Sequence, residues 1–125
     1  MYLSPNSKIP ELVRQSTDKL NQYLGESPLF IYGHVGDGNL HITKNKPEDM
    51  DIKKFESKAD DITRIVNETA VDLGGSYSGE HGIGLVLKED FVYFSDPIKI
   101  QLMELLNGPL TPKNIMNPNK LLVKD

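Results

Sequence analysis

Near the start of the chain, apolar residues recur with a helical period. Ile9, Leu12, Val13, Leu20, Tyr23 and Leu24 share one stripe, and Gly25 stands where a helix can end in left-handed backbone. The next apolar run, Leu29-Phe30-Ile31-Tyr32, is short, β-branched and aromatic, which predicts a strand, and Leu40 to Thr43 predicts its partner. A second helix is expected from about Glu48 to Leu73, with Ile52, Phe55, Ala59, Ile62, Ile65, Val66, Ala70 and Leu73 buried and Gly74-Gly75 as its stop. A third helix starts at Asp96-Pro97, a cap followed by proline in the first turn, and is expected to end before Gly108-Pro109. Periodicity leaves Phe91-Val92-Tyr93-Phe94 open between a strand and a helix end. The tail from Leu110 to Lys124, interrupted by Pro112 and Pro118, predicts extended chain. Helices mixed with one antiparallel strand pair predict an α+β fold, an antiparallel sheet with helices packed on one face, and the length fits one domain spanning 1–125.

Composition narrows the functional class. The chain is 38% hydrophobic and 26% charged, with no apolar run of membrane-spanning length, so no transmembrane segment is expected. A net charge of −4 argues against a nucleic-acid footprint. Cysteine is absent, which excludes disulfides and thiolate metal sites. The N-terminus shows no secretory signal pattern, so a cytoplasmic location is the expectation.

Most of the ten glycines crowd into two windows, GHVGDGNLH (33–41) and GGSYSGEHGIG (74–84), which also hold all three histidines. In the first, Asp37-Gly38 favours the centre of a two-residue hairpin turn. That turn would set His34 opposite His41 on one face, with Cβ atoms roughly 4.5–5.5 Å apart. A slip of one residue would send the imidazoles to opposite faces. In the second window, Glu80 and His81 stand side by side between glycines that permit irregular backbone, so both side chains can be aimed at one site. With His34 and His41, Glu80 completes a two-histidine, one-carboxylate donor set. Such a set fits catalytic zinc and equally the facial triad of non-haem iron. His81 is then left as a general base, since imidazole titrates near neutrality. Each window also has a plainer reading, as a glycine-rich surface turn with incidental histidines and as a surface Glu-His pair. Neither window has the spacing of a phosphate loop or a dinucleotide fingerprint.

Taken in order, GHVGDGNLH, SGEHGIG and Ile115-Met116-Asn117-Pro118-Asn119-Lys120 resemble the C-terminal domain of FAD-linked oxidases of the vanillyl-alcohol oxidase type, over roughly residues 28–123. The nearest likeness is to members that oxidise D-lactate, D-2-hydroxyglutarate or glycolate. The resemblance implies that His34, His41 and Glu80 hold a divalent metal, zinc in most such members, which takes the carboxylate and 2-hydroxyl of a small hydroxy acid. It implies that His81 accepts the hydroxyl proton while hydride passes to the flavin, and that Asn117 is a lesser candidate for a flavin contact. It also implies an FAD-binding domain or subunit as partner, because that region precedes this one in the family. The chain is therefore expected to be inactive alone, whether as fragment, separate subunit or remnant, and to self-associate through exposed apolar edges. Two positions depart from the family pattern: Thr43 where asparagine is frequent, and Asn119 where glycine is. Two other readings compete: a stand-alone divalent-metal module or metallohydrolase, and an interaction domain that keeps the motifs without activity. Zinc-dependent hydrolysis by the isolated chain would favour the former.

Overall fold

The structure, a computed structural model, describes residues 2–118 and 120–122. Its elements are β1 (Tyr2–Leu3), α1 (Ile9–Leu24), β2 (Leu29–His34), β3 (Asn39–Lys44), α2 (Ile52–Glu56), α3 (Ala59–Asp72), α4 (Lys88–Phe94) and α5 (Pro97–Leu110). They cluster into two compact units, 1–81 and 82–125.

In the first unit the strands form an antiparallel sheet in the order β1-β3-β2. Alternation along β2 and β3 gives the sheet two unlike faces. Leu29, Ile31, Leu40 and Ile42 pack inward with Tyr2 of β1, against Leu12 and Leu20 of α1 and Val66 and Ala70 of α3. This is the α+β arrangement expected, with helices on one face of an antiparallel sheet. Lys44 also lies buried, donating from Nζ to the Asn21 side-chain carbonyl and, at 2.8 Å, to the Ser27 carbonyl. Burial pushes its ammonium pKa down.

α1 matches its predicted stripe with one change. Leu12, Ser16, Leu20 and Leu24 are the buried positions, while Tyr23 sits at the rim, its hydroxyl bonded to Asp61 and Lys58 Nζ lying 4.0 Å from its ring centre. Gly25, at φ 91°, ends the helix, its N–H donating to the Asn21 carbonyl at 2.8 Å.

The single helix expected over 48–73 is two. Asp51 caps α2 by accepting from the N–H groups of Lys53 and Lys54 at 2.9 and 3.3 Å. The chain then leaves helical geometry at Lys58, with φ −103° and ψ 2°, before α3 begins. Only the α3 part of the expected stripe reaches the core; Ile52 remains 52% exposed, because the break turns α2 away from it.

The second unit resolves the ambiguity at 91–94 in favour of helix: α4 ends there, and Phe91 is buried. The cap at Asp96 forms as expected, its carboxylate accepting from the Ile98 N–H at 2.8 Å. Asp96→Ala is predicted to weaken the first turn of α5 by about 1 kcal/mol, raising amide hydrogen exchange there about fivefold. α5 runs through Gly108-Pro109 rather than stopping before them. Proline in the last turn forfeits its own N–H, yet the Thr111 N–H still closes on the Asn107 carbonyl at 2.8 Å.

The described part of the tail is not extended. It turns at Asn114 and Asn117, both in left-handed backbone (φ 48° and 47°), with the Asn114 N–H donating to the Thr111 carbonyl at 2.8 Å. Asn119 and residues 123–124 of the expected extended tail lie outside the described residues. No helix among the described residues is long and apolar enough to cross a membrane.

Candidate functional site

The sheet's outer face carries the candidate residues of the hairpin. Along β2 and β3, the residues pointing away from the core are Phe30, Tyr32 and His34, opposite Thr43, His41 and Asn39. Both hairpin histidines therefore share one face, as expected, but not as a directly opposed pair. The loop is four residues long: a 3-10 turn at Val35–Asp37 followed by Gly38 in left-handed backbone (φ 72°, ψ 14°). This sets His34 opposite Asn39 and Tyr32 opposite His41. The register differs from the expected one by two residues, and an even shift keeps every side chain on its own face. The histidines become diagonal neighbours, with Cα atoms roughly 7–8 Å apart.

The tight two-residue turn is displaced by contacts from the N-terminal segment. Asn6 Nδ2 donates to the Gly36 carbonyl at 2.9 Å, and the Ser4 N–H donates to the Gly38 carbonyl at 2.8 Å. Both bonds are made to the wider loop. His41 is held flat against Tyr32, with ring centres 4.8 Å apart and planes 4° from parallel.

Glu80 reaches this face through the same N-terminal strand. Leu3 pairs with Asn39 on one side and with Ser76 on the other, exchanging two backbone bonds with Ser76 at 2.9 and 2.7 Å. Gly75 makes that approach possible, since a Cβ there would lie 2.1 Å from the Leu3 carbonyl oxygen. From Ser76 the chain leads in irregular backbone to Glu80. There the carboxylate accepts a hydrogen bond from Asn39 Nδ2, and its Oε1 lies 3.9 Å from His34 Nε2. His34 and Glu80 side chains are 71% and 45% exposed, so the pair is open to a ligand. His81, next in the chain, is exposed.

Three expected residues thus gather on or beside one face, with Glu80 and His34 in contact and His41 on the diagonal. Among the described residues no three His, Asp or Glu side chains approach closely enough to enclose a cation. The donor chemistry fits zinc, with two imidazoles and a carboxylate, and two of the three donors already meet; His41, stacked on Tyr32, stands apart. Asn39 was not singled out from the sequence. Its signal was only its place in GDGNLH, between the turn and the second histidine. Its side chain is buried, and its Oδ1 has no hydrogen-bond partner among the described residues, which leaves a polar atom whose burial costs about 1–3 kcal/mol.

Asn117, the candidate flavin contact, lies in the second unit. It lines a cavity of about 490 Å³ with Asn107, Asn114, Met116, Lys120 and Leu122.

Comparison with known proteins decides the family. The family described as FAD linked oxidases, C-terminal domain, matches residues 4–121. The chain belongs to this family. D-lactate dehydrogenase of Archaeoglobus fulgidus is 38% identical over 96% of the chain and 25% of its own length. D-2-hydroxyglutarate dehydrogenase of Stutzerimonas stutzeri is 32% identical over 91% of the chain and 25% of its length. Glycolate oxidase subunit GlcD of Bacillus subtilis is 32% identical over 97% of the chain and 25% of its length. The chain therefore spans about a quarter of the length of these relatives, and this FAD-linked oxidase domain corresponds to one part of them.

Proposed function

We propose that this FAD-linked oxidase domain forms the metal- and substrate-binding side of a flavin-dependent dehydrogenase or oxidase of small 2-hydroxy acids. The observation that carries this reading is the meeting of His34 and Glu80 at 3.9 Å on the face that also presents His41. The names of the relatives, D-lactate dehydrogenase, D-2-hydroxyglutarate dehydrogenase and glycolate oxidase subunit, support the substrate class.

In this reading His34, His41 and Glu80 are the donors for a divalent cation, zinc by ligand chemistry. The cation, when bound, supplies positive charge beside the substrate's carboxylate and hydroxyl oxygens. FAD, carried mainly by a separate domain or subunit, supplies the two-electron acceptor, and Asn117 contributes a polar contact to it. An imidazole nitrogen of His81 takes the proton of the 2-hydroxyl, and the exposed, glycine-flanked backbone lets that ring meet the substrate beside Glu80. Exposed Phe30, Tyr32 and Val35 make the hairpin face a surface that the flavin-carrying part would cover, excluding water from the reaction.

Calorimetric titration with zinc chloride tests the donor set. His34→Ala and Glu80→Gln are each expected to weaken binding by at least about tenfold, since each removes one of three ligands. With the flavin-binding part supplied, His81→Gln is expected to slow flavin reduction by D-lactate, D-2-hydroxyglutarate or glycolate about 10²–10⁴-fold. Unchanged zinc affinity in both donor variants, or zinc-dependent hydrolysis by the chain alone, would overturn the reading.

A further inference from the structure

We propose that Asn39 is the positioning residue of this site, holding the Glu80 carboxylate beside His34. The inference rests on the proposed donor roles of His34 and Glu80 and goes beyond them. Asn39 opens β3 at the centre of a row that crosses the sheet, with His34 opposite it on β2 and Leu3 opposite it on β1. Only 3% of it is exposed. Its Nδ2 donates to Glu80 Oε1, the same oxygen that lies 3.9 Å from His34 Nε2.

An amide group has two unlike ends, and the donor end faces the carboxylate. An ionised carboxylate accepts at both oxygens and has lone pairs to spare after one amide bond. The amide therefore fixes the direction of the Glu80 carboxylate and leaves lone pairs free for another partner. Asn39 Oδ1, on the same outer face, is buried without a partner among the described residues. Glu80 itself lies on an exposed stretch outside any helix or strand, with Gly79 and Gly82 on either side. Among the described residues, the Asn39 amide donates the hydrogen bond that ties this carboxylate to the sheet.

The test titrates the full chain with cobalt chloride, following the visible bands of bound Co²⁺, and with zinc chloride by calorimetry. Asn39→Ala, Asn39→Asp, His34→Ala and Glu80→Gln are compared with the parent chain. Asn39→Ala is expected to weaken both metals about 10–100-fold, the usual loss when a partner that orients a ligand is removed. Asn39→Asp, nearly identical in shape but placing carboxylate against carboxylate, is expected to weaken them at least as much. It should also change the Co²⁺ band intensities while the chain stays folded by circular dichroism. If the Asn39 variants bind as the parent does while His34→Ala and Glu80→Gln bind poorly, the Asn39 assignment fails and the donor reading stands. If the parent binds neither metal, or the donor variants bind like the parent, both fail together. Loss of folding in Asn39→Ala leaves Asn39→Asp to decide; loss of folding in both makes the role structural and overturns the proposal.

Discussion

Gly38→Ala is expected to destabilise the first unit by about 3–5 kcal/mol, with the N-terminal strand detached from the hairpin. The backbone here is left-handed, at φ 72°, a region that costs an L residue roughly 1–2 kcal/mol. The larger part is steric. A Cβ at Gly38 would lie 2.1 Å from the Ser4 carbonyl oxygen and 3.1 Å from Asn6 Oδ1. The nearest atom belongs to the backbone, so no side-chain rotation relieves the contact. Moving Ser4 away breaks its 2.8 Å bond to the Gly38 carbonyl and pulls β1 from β3. Tyr2 then leaves the core, and Leu3 loses its hold on Ser76, the anchor of the Glu80 segment. Gly36→Ala is the control. A Cβ there meets nothing within 4 Å and no positive φ is required, so the change should stay within about 0.5 kcal/mol. Urea unfolding of both variants checks the pair; equal midpoints would show that the loop is not clasped by the N-terminal segment.

Leu20→Ala should cost about 2–5 kcal/mol. Leu20 has no exposed surface and belongs to the buried cluster drawn from α1, α3, β1 and β3, against which β2 also packs. Shortening it removes buried methyl groups and leaves a cavity in a close-packed interior that relaxes only in part. Total stability of a domain this size is on the order of 5–15 kcal/mol, so a large fraction would be lost. Leu105→Ala, at a position 70% exposed on α5, should change stability by no more than about 0.5 kcal/mol in the isolated chain. A shift in melting midpoint at Leu20 no larger than at Leu105 would contradict the core assignment.

Strong periodic segments were legible without coordinates. α1 carries an apolar stripe ended by Gly25 and formed where expected; α5 begins, as expected, at a capping aspartate followed by proline, but runs past Gly108-Pro109. β2 and β3 were found from short apolar runs, with the ends longer than expected. β1 was not found, because two residues are too few for any period to show. The break between α2 and α3 escaped notice because Ser57 and Lys58 are ordinary helix residues. What stops the helix there is local geometry, and no glycine or proline marks it.

The hairpin shows the same division at the site. Alternation placed His34 and His41 on one face, and that survives because the side-chain period of a strand is two and the loop altered the register by an even number. Which residues stand opposite each other was not decided by the turn sequence. Asp37-Gly38 by itself favours a two-residue turn, but Ser4 and Asn6, far away in sequence, bond to the loop and hold it open. The sequence by itself determined the family, the fold class, the helical stripes and the face on which the histidines lie, since these depend on local periodicity and on motifs in order. Only the tertiary structure decided that Glu80 meets His34 through Leu3 and Ser76, that His41 rests on Tyr32, and that Asn39 holds the carboxylate. Those contacts join residues with no fixed spacing in the chain, and their energies come from packing and hydrogen bonds that exist only once the N-terminal strand has closed over both.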